Sequence, residues 1–368
     1  MAELLQVKFQ NFGLLCTLTP YRLPSFYSAK QVIRQPYLRP ELRNMNILWQ
    51  SVTEIVPPKP NFTEKDLPDL SGKIYLVTGA TSGVGVELAK ILYWKNATVY
   101  IGTRSETNYG KAVKYIAEDA TQPSKGELRL LKMDLMDLPT VKSAADKLIA
   151  EAKRLDSVWY NAGIMGHPTL QTTVQGYEVH WGTNVVGHFL LNELLTSLLI
   201  SSAETAEKEA PVRAIWVSSD ANLFSPADGI NWDDVNFAKE GAVQMTKYAQ
   251  SKAAAIILGD EFAKRVGDKG VVSLSLNPGH LITGMQENRP KWLKQLGNLF
   301  SYHAKYGAYT EIFAGFAELD LETQNGSYIV PWGRLGIPRN DIKEGLAMRG
   351  TGARLWEMLE ADLKPYLG

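Results

Sequence analysis

A single cysteine, Cys16, stands among 368 residues, so no disulfide can form within the chain and no Cys-based metal cluster is available. Net charge is also missing: Lys+Arg and Asp+Glu both number 39. No basic cluster offsets that balance, which argues against nucleic acid or an anionic membrane as partner. No run approaches the roughly 18 consecutive apolar residues of a membrane span, so no transmembrane segment is expected. The five histidines (His167, His180, His188, His280 and His303) lack the His-Glu-x-x-His spacing of a zinc site, and no metal is expected. Linkers rich in Pro, Gly or Ser and internal repeats are absent between 70 and 335, which favours one large domain there. Asn61 and Asn96 fit the glycosylation pattern and are read as accidents, since nothing marks the chain as secreted.

The first 44 residues differ in texture. Lys8, Arg22, Lys30, Arg34, Arg39 and Arg43 face only Glu3 and Glu41. Basic, acid-poor leaders can be organelle transit peptides. Prolines at 20, 24, 36 and 40 break any long amphipathic helix, so a poorly ordered extension is the favoured reading, with Met45 as an alternative start. A cytoplasmic location is expected.

What is present is alternation. "KIYLVTG" (73–79), "TVYIGTR" (98–104), "ELRLLKMDL" (127–135), "DSVWYNAG" (156–163), "VRAIWVSS" (212–219) and "GVVSLSLNPG" (270–279) read as short, nearly continuous apolar strands. Between them lie helical patterns at 86–96, 108–120, 139–155, 176–202 and 244–266. Strands alternating with helices imply right-handed βαβ units: an α/β fold with a doubly wound, Rossmann-like parallel sheet flanked by helices. The helices at 176–202 and 244–266 are apolar enough to pair between subunits in a homodimer, or to be core. Residues 284–320 are aromatic and helical in period. Residues 284–304 read equally as a substrate lid, with Trp292, Leu296, Phe300 and Tyr302 on it, or as packing helices; 306–318 read as core.

The first strand ends in Thr78-Gly79-Ala80-Thr81-Ser82-Gly83-Val84-Gly85 and runs into a helix. Glycines there allow a tight turn and let the backbone approach a pyrophosphate at the helix N-terminus, so dinucleotide binding is expected. The second strand ends with Arg104 and no acid until Glu106. A cation at that place pairs a 2′-phosphate where an acid would bond a ribose hydroxyl, which favours NADP over NAD.

These motifs stand in the order of the short-chain dehydrogenase/reductase family, and residues 70–335 resemble it. The loop from Thr78 to Gly85 is similar to its TGxxxGxG, with Gly79, Ser82, Gly83, Val84 and Gly85 as cofactor contacts. Asp134 resembles its adenine-contacting aspartate, and Asn161-Ala162-Gly163 the end of NNAG. Asn184 resembles the helix asparagine, Ser219 the active serine, and Tyr248 with Lys252 the YxxxK pair. Pro278-Gly279, Leu281 and Thr283 resemble the PGxxxT that meets the nicotinamide amide. The long gap between serine and tyrosine and the "PPKP" leader resemble retinol-dehydrogenase-like and fungal members. Two departures stand out. Tyr160 replaces the first Asn of NNAG, and the 219–248 stretch is longer than in compact members, either shaping a substrate entrance or looping over the surface.

The resemblance implies an NADP-dependent oxidoreductase moving a hydride between NADPH and a carbonyl or alcohol of an apolar small molecule, including secondary-metabolite intermediates. Tyr248 would exchange the proton, Ser219 hold the substrate oxygen, Lys252 favour the phenolate and hold ribose hydroxyls, and Asn184 anchor a water. The phenol must shift roughly three units from its ordinary value near 10 to ionise near neutrality. His280, after the Pro-Gly turn, is a candidate pocket residue, and His188 is read as a satisfied helix residue. The alternatives are a catalytically lapsed dinucleotide-binding protein and a non-redox isomerase or cyclase on the same fold. The expected division is an extension over 1–69, an NADP-binding catalytic domain over 70–335, and a helical tail over 336–368 packed on that domain.

Overall fold

β-Branched and aromatic residues on every apolar run of the first half drive extended structure, and short helical segments return the chain between them. A computed structural model describes residues 50, 52–118, 124–166, 171–207, 210–239, 241–281 and 301–367. Thr283 and the proposed lid residues 284–300 lie outside the described residues, as do the first 49.

The strands are β1 (Ile74–Thr78), β2 (Thr98–Thr103), β3 (Glu127–Lys132), β4 (Ser157–Tyr160), β5 (Val212–Val217), β6 (Val271–Leu276), β7 (Tyr328–Val330) and β8 (Arg334–Gly336). They form one eight-stranded sheet in the order β3-β2-β1-β4-β5-β6-β7-β8. All pairs are parallel except β7 with β8, which the sequence pattern did not reveal because each is only three residues long. The order reverses between β1 and β4, and in open sheets of this kind ligands bind at such a reversal, beyond the carboxyl ends of the strands.

The longer helices among the described residues are α1 (Gly83–Trp94), α2 (Glu106–Ala117), α3 (Leu138–Glu151), α4 (Val179–Ala203), α5 (Gln244–Val266), α6 (Ala304–Phe316) and α7 (Thr351–Leu367). Strand side chains alternate between two cores. Leu76, Tyr100, Val158 and Trp216 point to the core with α3, α4, α5 and α7. Val77, Ile101, Trp159 and Ile215 point to the core with α1, α2 and α6. This period of two, with both faces covered, explains why the strands read as continuous apolar runs. Helix α4 is long and apolar enough to cross a membrane by length and composition, yet it is mostly buried within the fold, as a core helix is.

Helices α4 and α5, expected to pair between subunits or to be core, receive α7 of their own chain. Trp356 of α7 sits edge-on to Phe189 of α4 at 4.7 Å and stacks on Phe262 of α5 at 5.7 Å. Leu355, Leu359 and Leu363 are fully buried beside it. The long stretch after Ser219 is also tied down. It forms 3-10 turns at Asp220–Phe224 and Ala227–Gly229. The Arg339 guanidinium donates to the carbonyls of Asn222, Leu223, Ser225 and Pro226 at once. Asp341 accepts from the Asp228 amide at 2.8 Å.

Residues 50–69, expected to belong to the extension, are fastened to the body. Lys95 donates to the Leu67 carbonyl at 2.6 Å, and the Glu54 carboxylate accepts from Asn277 at 2.8 Å, just beyond β6. Because α7 fills the seam of α4 and α5, Trp356→Ala should cost about 3 kcal/mol in urea unfolding. An unchanged midpoint would show that α7 is dispensable to the fold.

Candidate active site

The expected site residues that are described all fall at the carboxyl ends of strands β1 to β6, or on α4 and α5 beside them. Thr78 closes β1 and organises the centre. Its carbonyl accepts from the Asn161 side chain at 2.8 Å, and its hydroxyl accepts from the Ala162 amide at 2.9 Å. Gly79 and Gly83 have φ of +70° and +59°, in the left-handed region that favours glycine. A methyl group on Gly79 would meet the Ala162 backbone at 2.8 Å, and one on Gly85 would meet the Asn161 amide at 2.5 Å. The loop therefore lies flat against the turn after β4.

Helix α1 begins with Ser82, whose side chain makes no capping hydrogen bond, and no acid stands in the first turn. Its leading N–H groups and the dipole's positive end suit an anion. The cradle that the two glycines keep free of side chains fits a pyrophosphate. At the end of β2, Arg104 is exposed, and among the described residues its guanidinium donates to the Met136 sulfur, at 3.9 Å. The nearest acid in sequence, Glu106, is occupied by Lys132 at 2.7 Å. Arg104 thus keeps its charge available. Asp134, after β3, is half-buried and accepts from the Met136 amide at 3.0 Å, so its carboxylate shapes its own turn.

Asn184 sits in a π-helical widening, Gly182–Val186, inside α4. Its side chain makes a two-way clasp with Ile164, accepting from the amide at 2.9 Å and donating to the carbonyl at 3.1 Å. It also donates to Ser251 of α5 at 2.9 Å, and Ser251 donates to the Tyr248 carbonyl at 2.7 Å. His188 is a satisfied core residue. Burial lowers its pKa to about 3, the Asn184 carbonyl opposing in part, so the ring is neutral. Nδ1–H then donates to that carbonyl at 3.1 Å, and Nε2 accepts from the Thr78 hydroxyl at 3.0 Å. Tyr160, the departure from Asn, turns inward, donates to Asn192 at 2.9 Å and packs on Trp216. Asn161 keeps its own contacts undisturbed.

Helix α5 is bolted to the end of β5 twice. The Ser218 hydroxyl donates to the Lys252 carbonyl at 2.6 Å, and the Lys252 ammonium donates to the Val217 carbonyl at 2.9 Å. Lys252 is buried, lies 5.8 Å from the Tyr248 ring centre and borders Gly163 and Asn184. Among the described residues no carboxylate pairs with it, and burial alone lowers its pKa to about 8. Tyr248 is 5 % exposed, with the His180 ring 6.1 Å away. Ser219 caps the 3-10 turn packed on α5, accepting from the Ala221 amide at 3.2 Å and donating to Asp220 at 2.9 Å. Pro278, Gly279 and Leu281 follow β6, where the Gly279 amide donates to Asn277 at 2.9 Å. Thr283 lies outside the described residues. Sequence reasoning missed Asp220, which adjoins the serine, and the Thr78 hydroxyl, whose place at the end of β1 was the available signal. Among the described residues no group of three His, Cys, Asp or Glu could hold a metal.

A lone ammonium inside the fold costs stability. Its folded pKa is depressed, so the cost is fully present below about pH 8 and fades as pH rises toward about 10.5. Lys252→Met should therefore raise the stability of the ligand-free protein by about 1–3 kcal/mol at neutral pH, less at alkaline pH. A lower melting temperature at pH 7 would contradict this picture of an unpaired cation.

Residues 73–227 match the family model described as short chain dehydrogenase. A short-chain dehydrogenase/reductase of Phomopsis amygdali is 39% identical over 335 residues, covering 88% of this chain and 99% of that one. The solved structure of an uncharacterized protein from Mycobacterium paratuberculosis superposes with a TM-score of 0.61 at 27% identity, over 82% of this chain and 96% of that one. Pseudomonas aeruginosa RhlG, solved as an NADP active-site complex, shares the fold at a TM-score of 0.55 and 23% identity, over 74% of this chain and 97% of that one. With the strand order, the glycine loop and the α4–α5 cluster already in place, the chain belongs to the short-chain dehydrogenase/reductase family, an oxidoreductase family that uses NAD(P).

Proposed function

We propose that this enzyme is NADP-dependent and acts on a carbonyl or alcohol of an apolar small molecule. The observation that carries the reading is the Tyr248–Lys252 pair, 5.8 Å from ring centre to ammonium, on a helix bolted to the end of β5, which Ser219 follows and whose turn packs on that helix. Gly79 and Gly83 to Gly85 would hold the pyrophosphate, Arg104 the 2′-phosphate, Asp134 the adenine side, and Asn161 to Gly163 with Pro278, Gly279 and Leu281 the nicotinamide end. NADPH, when bound, supplies the hydride. Tyr248 gives its proton to the substrate oxygen, which Ser219 holds by a hydrogen bond as charge grows on it. Lys252 stabilises the phenolate left behind and binds sugar hydroxyls with the N–H groups that Val217 does not use. Asn184, rigid in its clasp, fixes the wall behind them.

Support for an apolar substrate comes from the segments flanking Ser219 and Tyr248. Phe224 is 65% exposed and Val243 64%, and Leu223 and Met245 are exposed with them. Four large apolar side chains at solvent in the segments on either side of Ser219 and Tyr248 suit the access path of a hydrophobic ligand. Secondary-metabolite ketones and retinoid-like alcohols both belong to that class; the fungal relative favours the former.

The reading is tested by loss of reduced-cofactor absorbance with a panel of apolar ketones and aldehydes. NADPH should be used in preference to NADH, and Arg104→Ala should weaken NADPH about 10- to 100-fold while leaving NADH unchanged. Better use of NADH by the unaltered protein would reject the 2′-phosphate assignment. Tyr248→Phe should lower kcat about 100- to 10,000-fold with NADPH binding retained. Full turnover in that variant would remove the proposed proton donor and favour a different chemistry on this fold.

A further inference from the structure

The serine's single hydrogen has a destination. Ser219 Oγ donates to Asp220 Oδ1 at 2.9 Å, and one of its lone pairs already accepts from Ala221. The other oxygen of the same carboxylate, Oδ2, lies 2.8 Å from His280 Nε2. Asp220 directly follows the serine, and His280 directly follows the Pro278-Gly279 turn. A carboxylate thus stands between a hydroxyl and an imidazole, with one oxygen turned to each. A serine engaged this way cannot donate to a substrate oxygen until it lets go of Asp220.

How firmly Asp220 holds that hydrogen depends on its charge. Beside imidazolium the carboxylate is compensated, and beside neutral imidazole it is a bare anion. Burial works against the anion. Contacts to His280, Ser219 and the Ala221 amide outweigh it, so the carboxyl stays below its ordinary range. Asp220 in turn holds the His280 pKa above its ordinary value against desolvation, with Glu54 adding to the pull. The side chains are partly exposed, 29% for Asp220 and 35% for His280, while the Nε2 that faces the carboxylate is itself buried, so protons exchange through the open part of the ring.

The other groups around the pair are accounted for. From the turn at 52–55, Glu54 is buried; burial pushes its carboxyl up, while Asn277 and Gln50 donate to it. Arg334 of β8 opposes the Glu54 charge. Burial keeps the Tyr328 hydroxyl of β7 protonated, with Asn222 near it at 3.4 Å. None of these donates to Asp220, which leaves His280 as its charge partner.

We propose that His280 is a positioning residue: by neutralising Asp220 it releases the Ser219 hydroxyl hydrogen to the substrate oxygen. This rests on the oxidoreductase reading above, in which Ser219 contacts that oxygen. Because one transition state serves both directions, losing the His280 proton weakens serine assistance to reduction and oxidation alike.

The test uses the full chain, NADPH and 4-nitrobenzaldehyde as a carbonyl probe, with kcat/KM followed from about pH 6 to about pH 9. His280→Gln leaves the anion bare and should lower kcat/KM about five-fold near pH 6, the margin between charged and neutral acceptors. Asp220→Asn should do the opposite, raising kcat/KM about five-fold above the unaltered enzyme near pH 8.5. The double variant should follow Asp220→Asn, and in a Ser219→Ala background His280→Gln should have no further effect. Losses in both single variants, or an effect of His280→Gln that persists without the serine hydroxyl, would overturn the proposal. An independent readout needs no substrate. The His280 ring should titrate above about pH 6.5 by NMR and drop in Asp220→Asn; the same midpoint in both proteins would refute the pairing. Failure of the oxidoreductase reading is separate: it would appear as no turnover in the unaltered enzyme, or as equal turnover in Ser219→Ala.

Discussion

An ammonium shut inside the protein without a carboxylate is the constraint around which this fold is arranged. Lys252 gives one hydrogen to the Val217 carbonyl and meets no counter-charge among the described residues. Burial favours its neutral form, and a nearby anion would favour the charged one. The Tyr248 ring, 5.8 Å away, is the place where an anion can appear. Opposite charges there attract, so a phenolate favours the protonated lysine and the ammonium favours the ionised phenol. The cost of burying the lysine is thereby linked to the acidity of the phenol.

That linkage requires fixed distances, and the scaffold supplies them through backbone carbonyls. Ser218 and Lys252 each reach across the β5–α5 seam, one to a helix carbonyl and the other to a strand carbonyl. Asn184 and Ser251 join α4 to α5, and neutral His188 runs from the Asn184 carbonyl to Thr78 at the end of β1. The glycine loop, both helices and β5 are therefore one connected polar network under an apolar core. The widening of α4 at Gly182–Val186 belongs to it, because it sets the Asn184 side chain against Ile164. Outside this network, Arg339 holds four carbonyls of the stretch after Ser219, so that a long excursion still starts from a defined serine.

Much of this was legible before any coordinates. Six strands and the helices between them followed from period and apolar content, and α5 over 244–266 fell where the pattern put it. The spacing of Tyr248 and Lys252, the glycine loop and the place of Ser219 were readable because each depends on local backbone. What escaped depends on partners far away in sequence. Strands β7 and β8 are too short to show a period. Tyr160 looked like a defect in a motif, and its partner Asn192 lies a helix away. Glu54, in a segment read as an extension, proved to be a buried acid at the end of β6. Asp220 looked like an ordinary turn residue, since only folding brings His280 to it. The fate of the 176–202 helix was ambiguous because an apolar surface does not say what covers it; one part of that surface, Phe189, meets Trp356 of the same chain.

The link between buried cation and phenol can be measured without knowing the substrate. Tyrosinate absorbance followed through an alkaline titration reports which group of the pair yields its proton first. With Lys252 acting on Tyr248, one tyrosine should ionise below the ordinary value near 10. That signal should vanish in Tyr248→Phe and move upward in Lys252→Met. A first ionisation at the ordinary value, unchanged by either substitution, would contradict the account.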